Sequence, residues 1–226
     1  MFVFTDDKKR LLEFFGKDPV LFAYHIGDLD DFYFPDCQWA VSYGYLPYIQ
    51  EAVLVYYGGA TPAVLAFGVS EQFPRLLEET LGILPSKFYC HYQSKSLDIL
   101  RSGFSEQPLG THWKMKLERF SPATMDKRFD DIVKLGPAHE RELTELYQRA
   151  YPGNYFTKRM LLTGKYVGTS RNNRIVAVAG VHVCSDEYEI AVLGNITTDP
   201  DYRGQGLATR LTSHLTDLLA REGKLV

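Results

Sequence analysis

The chain is poor in cysteine: Cys37, Cys90 and Cys184 are odd in number and widely spaced. That excludes a disulfide framework and points to a reducing, cytoplasmic setting. His182 and Cys184 would share one face of a strand, yet no second pair at ligand spacing follows, so no metal is expected. A basic run is also missing. Lys and Arg number 25 against 28 Asp and Glu, for a formal net charge of -3. A phosphate-backbone binder needs clustered cations, so nucleic acid is not an expected partner. Nor is there a long unbroken apolar run: the uncharged stretch 52–70 is interrupted by Gly58-Gly59-Ala60-Thr61-Pro62 and reads as two short buried strands joined by a turn. Asp6, Asp7, Lys8, Lys9 and Arg10 leave no room for a secretory apolar core. A membrane is therefore not an expected partner either.

What is present is a chain of 226 residues, 45% hydrophobic and 14% aromatic, enough for one large core or two modest ones. In the first half, periodicity predicts short helices over 8–15 and 20–29 and strands over 38–43, 52–57 and 63–67. A helix follows, with Ser70 as cap, Pro74 in its first turn and Phe73, Leu76, Leu77 and Leu81 on one side. A strand over 87–93, a helix over 94–102 and a strand over 111–118 complete this half. The second half predicts a strand over 132–135 and a helix opened by Pro137 with Leu143, Leu146, Tyr147 and Ala150 on one side. Strands over 166–170 and 175–183 flank an Asn172-Asn173 turn, and a strand over 188–198 leads to a last helix stopped by Gly223. Residues 224–226 begin another strand. The element order occurs twice without a residue-level repeat. The expected class is mixed α/β (α+β), as two tandem units, each a mainly antiparallel sheet flanked by helices; a single larger mixed sheet is the alternative. A boundary within 119–126 gives domains 1–122 and 127–226.

The most informative segment is Arg203-Gly204-Gln205-Gly206-Leu207-Ala208, between a strand ending in Ile196-Thr197-Thr198 and an amphipathic helix with Leu207, Leu211, Leu215, Leu218 and Leu219 on its apolar side. The first amides of that helix have no partner of their own. Glycines at 204 and 206 remove the Cβ atoms that would hold a ligand away, and the helix dipole favours an anion there, a pyrophosphate for example. Two glycines alone make an equally ordinary turn; Pro200, Arg203, Ala208, Thr209 and Arg210 around them make the pattern more specific. A dinucleotide fingerprint would need a glycine at 209 and an acid about twenty residues on. Thr209 fills that place and the sequence stops at Val226. At the corresponding place in the first half stands Val69-Ser70-Glu71-Gln72-Phe73-Pro74, where Glu71 would repel an anion, Phe73 would crowd it and Pro74 has no amide donor. The first unit is expected to be degenerate, serving as a scaffold or as one wall of an acceptor site.

Arg203, Gly206 and Ala208 resemble the acyl-CoA signature of the GCN5-related N-acetyltransferases (GNAT), and Gly194-Asn195-Ile196-Thr197-Thr198-Asp199-Pro200-Asp201-Tyr202 is similar to that family's fourth strand and the turn after it. The resemblance spans about 130–226. It implies acetyl-CoA or another acyl-CoA as co-substrate and no metal. It also implies a cofactor site of Ile196, Thr197, Thr198, Arg203, Gly204, Gln205, Gly206, Leu207, Ala208 and Thr209, with Asn195 beside the reacting thioester. The implied activity is direct acyl transfer to an amine carried by a small molecule or a protein. Many members carry an acid where this sequence has Val192, which leaves Glu189, then Glu187, as candidate bases or as plain solvated charges. Tyr147, Tyr151, Tyr155 and Phe156 around Pro152-Gly153-Asn154 would wall an acceptor channel or belong to the core. The resembled fold continues beyond the equivalent of Val226. An incomplete second unit is therefore expected, with a second copy of the chain as the partner that would complete its sheet. A non-catalytic CoA-binding sensor or interaction module, and more weakly a nucleotide binder, are the competing readings.

Overall fold

The computed structural model describes residues 1–119 and 131–226. Two compact units emerge, Met1–Lys114 and Met115–Val226. The expected boundary at 119–126 falls, from Phe120 on, outside the described residues.

In the first unit the order is β1 (Val3–Thr5), α1 (Lys8–Phe15), α2 (Ala23–Gly27), β2 (Cys37–Tyr43), β3 (Ile49–Tyr56), β4 (Ala63–Ala66), α3 (Phe73–Thr80), β5 (Tyr89–Tyr92) and α4 (Leu97–Gly103). The sheet runs β1-β2-β3-β4-β5, antiparallel up to β4 and parallel between β4 and β5. α1 begins where the Asp7 carboxylate accepts the amide of Arg10 at 3.1 Å, and it buries Leu11, Phe14 and Phe15 at helical spacing. Phe15, Phe22, Trp39 and Phe67 surround the fully buried imidazole of His25. α3 lays Phe73, Leu76 and Leu77 on a core with Val53, Val55, Val64 and Ala66.

The second unit follows with β6 (Ile132–Leu135), α5 (Glu140–Ala150), β7 (Tyr166–Arg171), β8 (Arg174–Ser185), β9 (Ile190–Thr198) and α6 (Leu207–Arg221). Its sheet runs β6-β7-β8-β9, antiparallel throughout, and Leu225 then forms a parallel bridge with Ile190. Asn172 and Asn173 take left-handed φ values of 50° and 58°, as a tight β7–β8 hairpin demands. Leu207, Leu211, Leu215 and Leu219 of α6 are at most 4% exposed and share one core with Leu143, Leu146, Val176, Val178 and Val181.

Two sheets therefore form, not one larger mixed sheet; in each, a strand and a helix precede three antiparallel strands and a further helix, with α2 added in the first unit and only the Leu225 bridge, in place of a last strand, in the second. Two local expectations need correction. The strand expected over 111–118 does not form: Trp113 and Met115 are 85% and 86% exposed, and the bond from the Leu117 amide to the Val226 carbonyl at 2.8 Å is not extended into a ladder among the described residues. β1 forms where none was expected, because three half-exposed residues carry too little pattern to be read.

Candidate functional site

β9 does not stay flat. Val178 pairs with Thr197 and Gly180 with Gly194, so Asn195 and Ile196 together face the single residue Ala179. The bulge residue is Asn195, at φ 55°, a conformation that Asn tolerates better than most side chains. Gly194 accommodates packing: the ring of His182 lies where its Cβ would be, 1.9 Å from Cδ2. The Asn195 side chain turns inward, donating to the Tyr155 carbonyl at 3.0 Å and the Tyr166 hydroxyl at 2.9 Å, while its own backbone carbonyl accepts the Tyr147 hydroxyl at 2.8 Å. Burial pushes the Tyr147 phenol well above its ordinary pKa, which keeps it a donor in this bond.

Past Thr198 the chain is braced from below. The buried Asp199 carboxylate caps the 3-10 turn Pro200–Tyr202 and takes ion pairs from Arg149 at 3.3 Å and Arg174 at 3.2 Å. Arg203 then lies back along the protein, donating to the carbonyls of Thr198 and Ala150, both at 3.2 Å. The second is the last residue of α5, whose terminal carbonyl lacks a helical donor. Gly204 and Gly206 adopt φ values of 77° and 72°, and Gly206 caps α6 without any side chain taking its first amides.

The outcome is a row of donors. Among the described residues, no protein acceptor meets the backbone amides of residues 204–209. They border a cavity of ≈ 420 Å³ lined by Ile196, Thr197, Thr198, Tyr202, Arg203, Gly204, Gly206, Leu207, Ala208 and Thr209. Of the ten residues expected to hold a cofactor, Gln205 alone is absent from that wall, and Tyr202 joins it. Nothing stands within 4 Å of the Cβ positions of Gly204 and Gly206, so both glycines open onto free space. An anion with several oxygens suits this arrangement, since unpaired amides and a helix N-terminus both favour negative charge.

Residues 133–225 match the model of the acetyltransferase (GNAT) family. The second unit thus carries a GNAT acetyltransferase domain. Among solved structures, an acetyltransferase described as of the GNAT family from Novosphingobium aromaticivorans is 27% identical, with 48% of this chain and 46% of that chain covered and a TM-score of 0.41. The ribosomal-protein-S18-alanine N-acetyltransferase of Escherichia coli is 28% identical over 41% of this chain and 60% of that one, with a TM-score of 0.33. The chain thus spans less than two thirds of either relative. A Drosophila protein matches at a TM-score of 0.60 and 11% identity over 99% of this chain and 86% of its own, a likeness of fold. A search of the curated proteins finds no match.

Other expected residues of the GNAT half lie elsewhere. Glu189 is not on the strand: it ends the β8–β9 turn at φ 49°, and its carbonyl accepts the Leu225 amide at 2.7 Å. The chain from there to Asn195 spans about 20 Å at ~3.3 Å per residue, which sets Glu189 at the far end of β9 from the bulge. Glu187 lies in the same turn. Arg210, although close in sequence to the glycines, turns away and pairs with Asp131. Burial acts to raise the Asp131 pKa, but bonds from Thr169, Arg171 and Arg210 outweigh it and hold the carboxyl at about 2. Tyr147, Tyr151, Tyr155 and Phe156 pack in or against the core. The Asp199 brace escaped sequence reading, since Arg149 and Arg174 reach it from other elements with no local signal. Among the described residues no group of three metal-ligating side chains gathers, and no helix is long and apolar enough to cross a membrane.

Proposed function

We propose that the chain is an N-acyltransferase that takes an acetyl group from acetyl-CoA and passes it directly to an amine. The observation that carries this reading is the run of amides at 204–209, without protein acceptors, bordering a cavity beside the β9 bulge of a GNAT domain. Bound acetyl-CoA would supply an activated acyl thioester. The amides of Gly204, Gln205, Gly206, Leu207, Ala208 and Thr209 hold its pyrophosphate, and Ile196, Thr197 and Thr198 border the course of its pantetheine arm. Arg203 serves the site from behind by fixing the turn to α5. At the bulge, the Asn195 and Tyr147 bonds hold the backbone that faces the acyl group.

Removal of the amine proton needs a base, and Glu189 lies in the β8–β9 turn, at the end of β9 away from the bulge. The imidazole of His182, packed on Gly194 one residue before the bulge, is the group this geometry offers instead. The first unit, with a related element order, is read as a second acetyltransferase-like unit without a cradle; the whole acts in the cytoplasm on an amine of a small molecule or protein.

Calorimetric titration with acetyl-CoA and CoA tests the core of this reading. Saturable binding to the wild type is expected, weakened at least ~10-fold in Gly206→Tyr, whose ring would occupy the space over the amides. An absence of binding to the wild type would sink it. A second reading, a CoA-binding module without turnover, is favoured by Val192 on β9, where the resembled family often carries an acid. Release of free thiol from acetyl-CoA across a broad amine panel separates the two. Turnover that His182→Gln abolishes while CoA affinity stays unchanged supports the enzyme; CoA binding with no turnover by the wild type supports the module.

A further inference from the structure

The first unit has its own turn at the matching place, between β4 and α3, and it differs from the GNAT turn in one respect that decides what it can bind. Its amides at 68, 69, 70, 72 and 73 are already occupied. The Gly68 amide donates to Gln93 Oε1 at 3.3 Å. Val69 donates to both oxygens of Glu51 at 3.2 and 3.3 Å, and Ser70 donates to Glu51 Oε1 at 2.5 Å. Gln72 donates to Ser70 Oγ at 3.2 Å, and Phe73 to the Ser70 carbonyl at 3.3 Å. Glu51 is fully buried, an acid directly before the apolar run Ala52-Val53-Leu54-Val55 of β3, where a carboxylate needs hydrogen-bond partners.

The location of Glu51 is set by register. Leu54 pairs with Leu65 and Tyr56 with Ala63, so counting back along the antiparallel pair sets Glu51 across from Gly68, at the start of the turn. In the second unit the equivalent stretch of β8 carries a charge of the opposite sign. Arg174, at the start of β8, binds the Asp199 side chain and leaves the turn amides beyond it without acceptors. One unit holds its turn through a side chain; the other holds it through the amides themselves.

We infer that the Glu51 carboxylate is a built-in anion that fills the amide nest of the first unit, so that this unit takes no phosphate or CoA and the chain has a single cofactor cradle. The occupancy by Glu51 stands on the geometry of the first unit; the count of one cofactor per chain rests on the acyl-CoA reading above. It also corrects the sequence-level reason for degeneracy. Glu71, Phe73 and Pro74 matter less than an acid on another strand, which donates no clash and simply arrives first.

Glu51→Ala deletes a fragment equivalent to acetate while keeping the Cβ. The variant is expected to lose about 5 °C or more in Tm, the scale set by leaving two part-buried amides unpaired. Added sodium acetate is expected to restore at least half of that loss, with no such gain from sodium chloride and none in the wild type. A variant as stable as the wild type, or acetate acting no differently from chloride, overturns the inference. Should Glu51→Ala not fold, the isosteric Glu51→Gln is measured by amide hydrogen exchange: Val69 and Ser70 are expected to exchange at least ~10-fold faster than in the wild type. Unchanged exchange overturns it equally. CoA titration of the wild type is expected to saturate at one per chain. Two per chain would refute the filled nest, whereas none would refute the acyl-CoA reading and leave the acetate result to stand by itself.

Discussion

Asn195 carries two demands at once, a left-handed backbone and an inward amide with three polar neighbours. These demands can be separated. Asn195→Gly removes the side-chain bonds but suits φ 55°, whereas Asn195→Ala removes the same bonds and adds the steric cost of a Cβ in that region. Alanine should therefore be the more destabilising by about 1–2 kcal/mol despite deleting less of the side chain, as read from denaturant midpoints at constant m. Equal losses would mean that the bulge relaxes. At this scale the sequence discloses what is local. Gly204 and Gly206 sit next to the helix they cap, so their role can be read from four or five neighbours. Glu51 acts on Val69 and Asp199 is held by Arg149, partners contributed by other elements, and no short window contains both sides of either bond. Arg210 shows the reverse error, a cation near the glycines in sequence whose guanidinium serves Asp131.

Among the elements, α6 agrees with its expected pattern and place, as α1 and β6 agree with theirs. Its apolar stripe gives Leu211 and Leu215 at 1% and 0% exposure, and Leu215→Ala should cost about 2–5 kcal/mol in denaturant unfolding, depending on how far the cavity collapses. Arg203 ties the turn before α6 to the end of α5, so Arg203→Ala should weaken CoA binding by several-fold while leaving Tm within a few degrees, because its two bonds are exposed. A large fall in Tm with unchanged affinity would make Arg203 a fold residue instead. β9 was legible except at its start, since Tyr188 and Glu189 continue an alternating pattern that only the turn geometry interrupts. The stretch 111–118 differs for a related reason: alternation signals a strand only when a sheet offers a face to bury, and Trp113 and Met115 stay exposed.

Across the molecule, the two units should answer acid differently. In the first, burial holds His25 well below its ordinary 6.5, and burial together with His112 and Lys114 brings His91 to about 4. The unfolded chain binds protons at these imidazoles below pH 6.5 while the folded unit does not. These rings therefore lower its stability as pH drops from 6.5 toward 4, at up to about 1.4 kcal/mol per pH unit for each, against the Asp28 carboxyl, which burial pushes well above its ordinary pKa and which acts in the opposite sense. The second unit has Asp131 at about 2 against an ordinary 3.8, a contribution fully present above 3.8 and lost only as pH falls from there toward 2. Both tryptophans, buried Trp39 and exposed Trp113, belong to the first unit, so a fluorescence change from Trp39 should precede the loss of helical signal from α5 and α6 on acidification. Coincident transitions would refute the ordering. The second unit, being free of tryptophan, is silent to that probe, but α6 gives it another. One rod bears the donor row at its tip and four core leucines along its flank, so whatever latches onto the tip also fastens the rod, and a protease should register cofactor as slower cutting around Leu215.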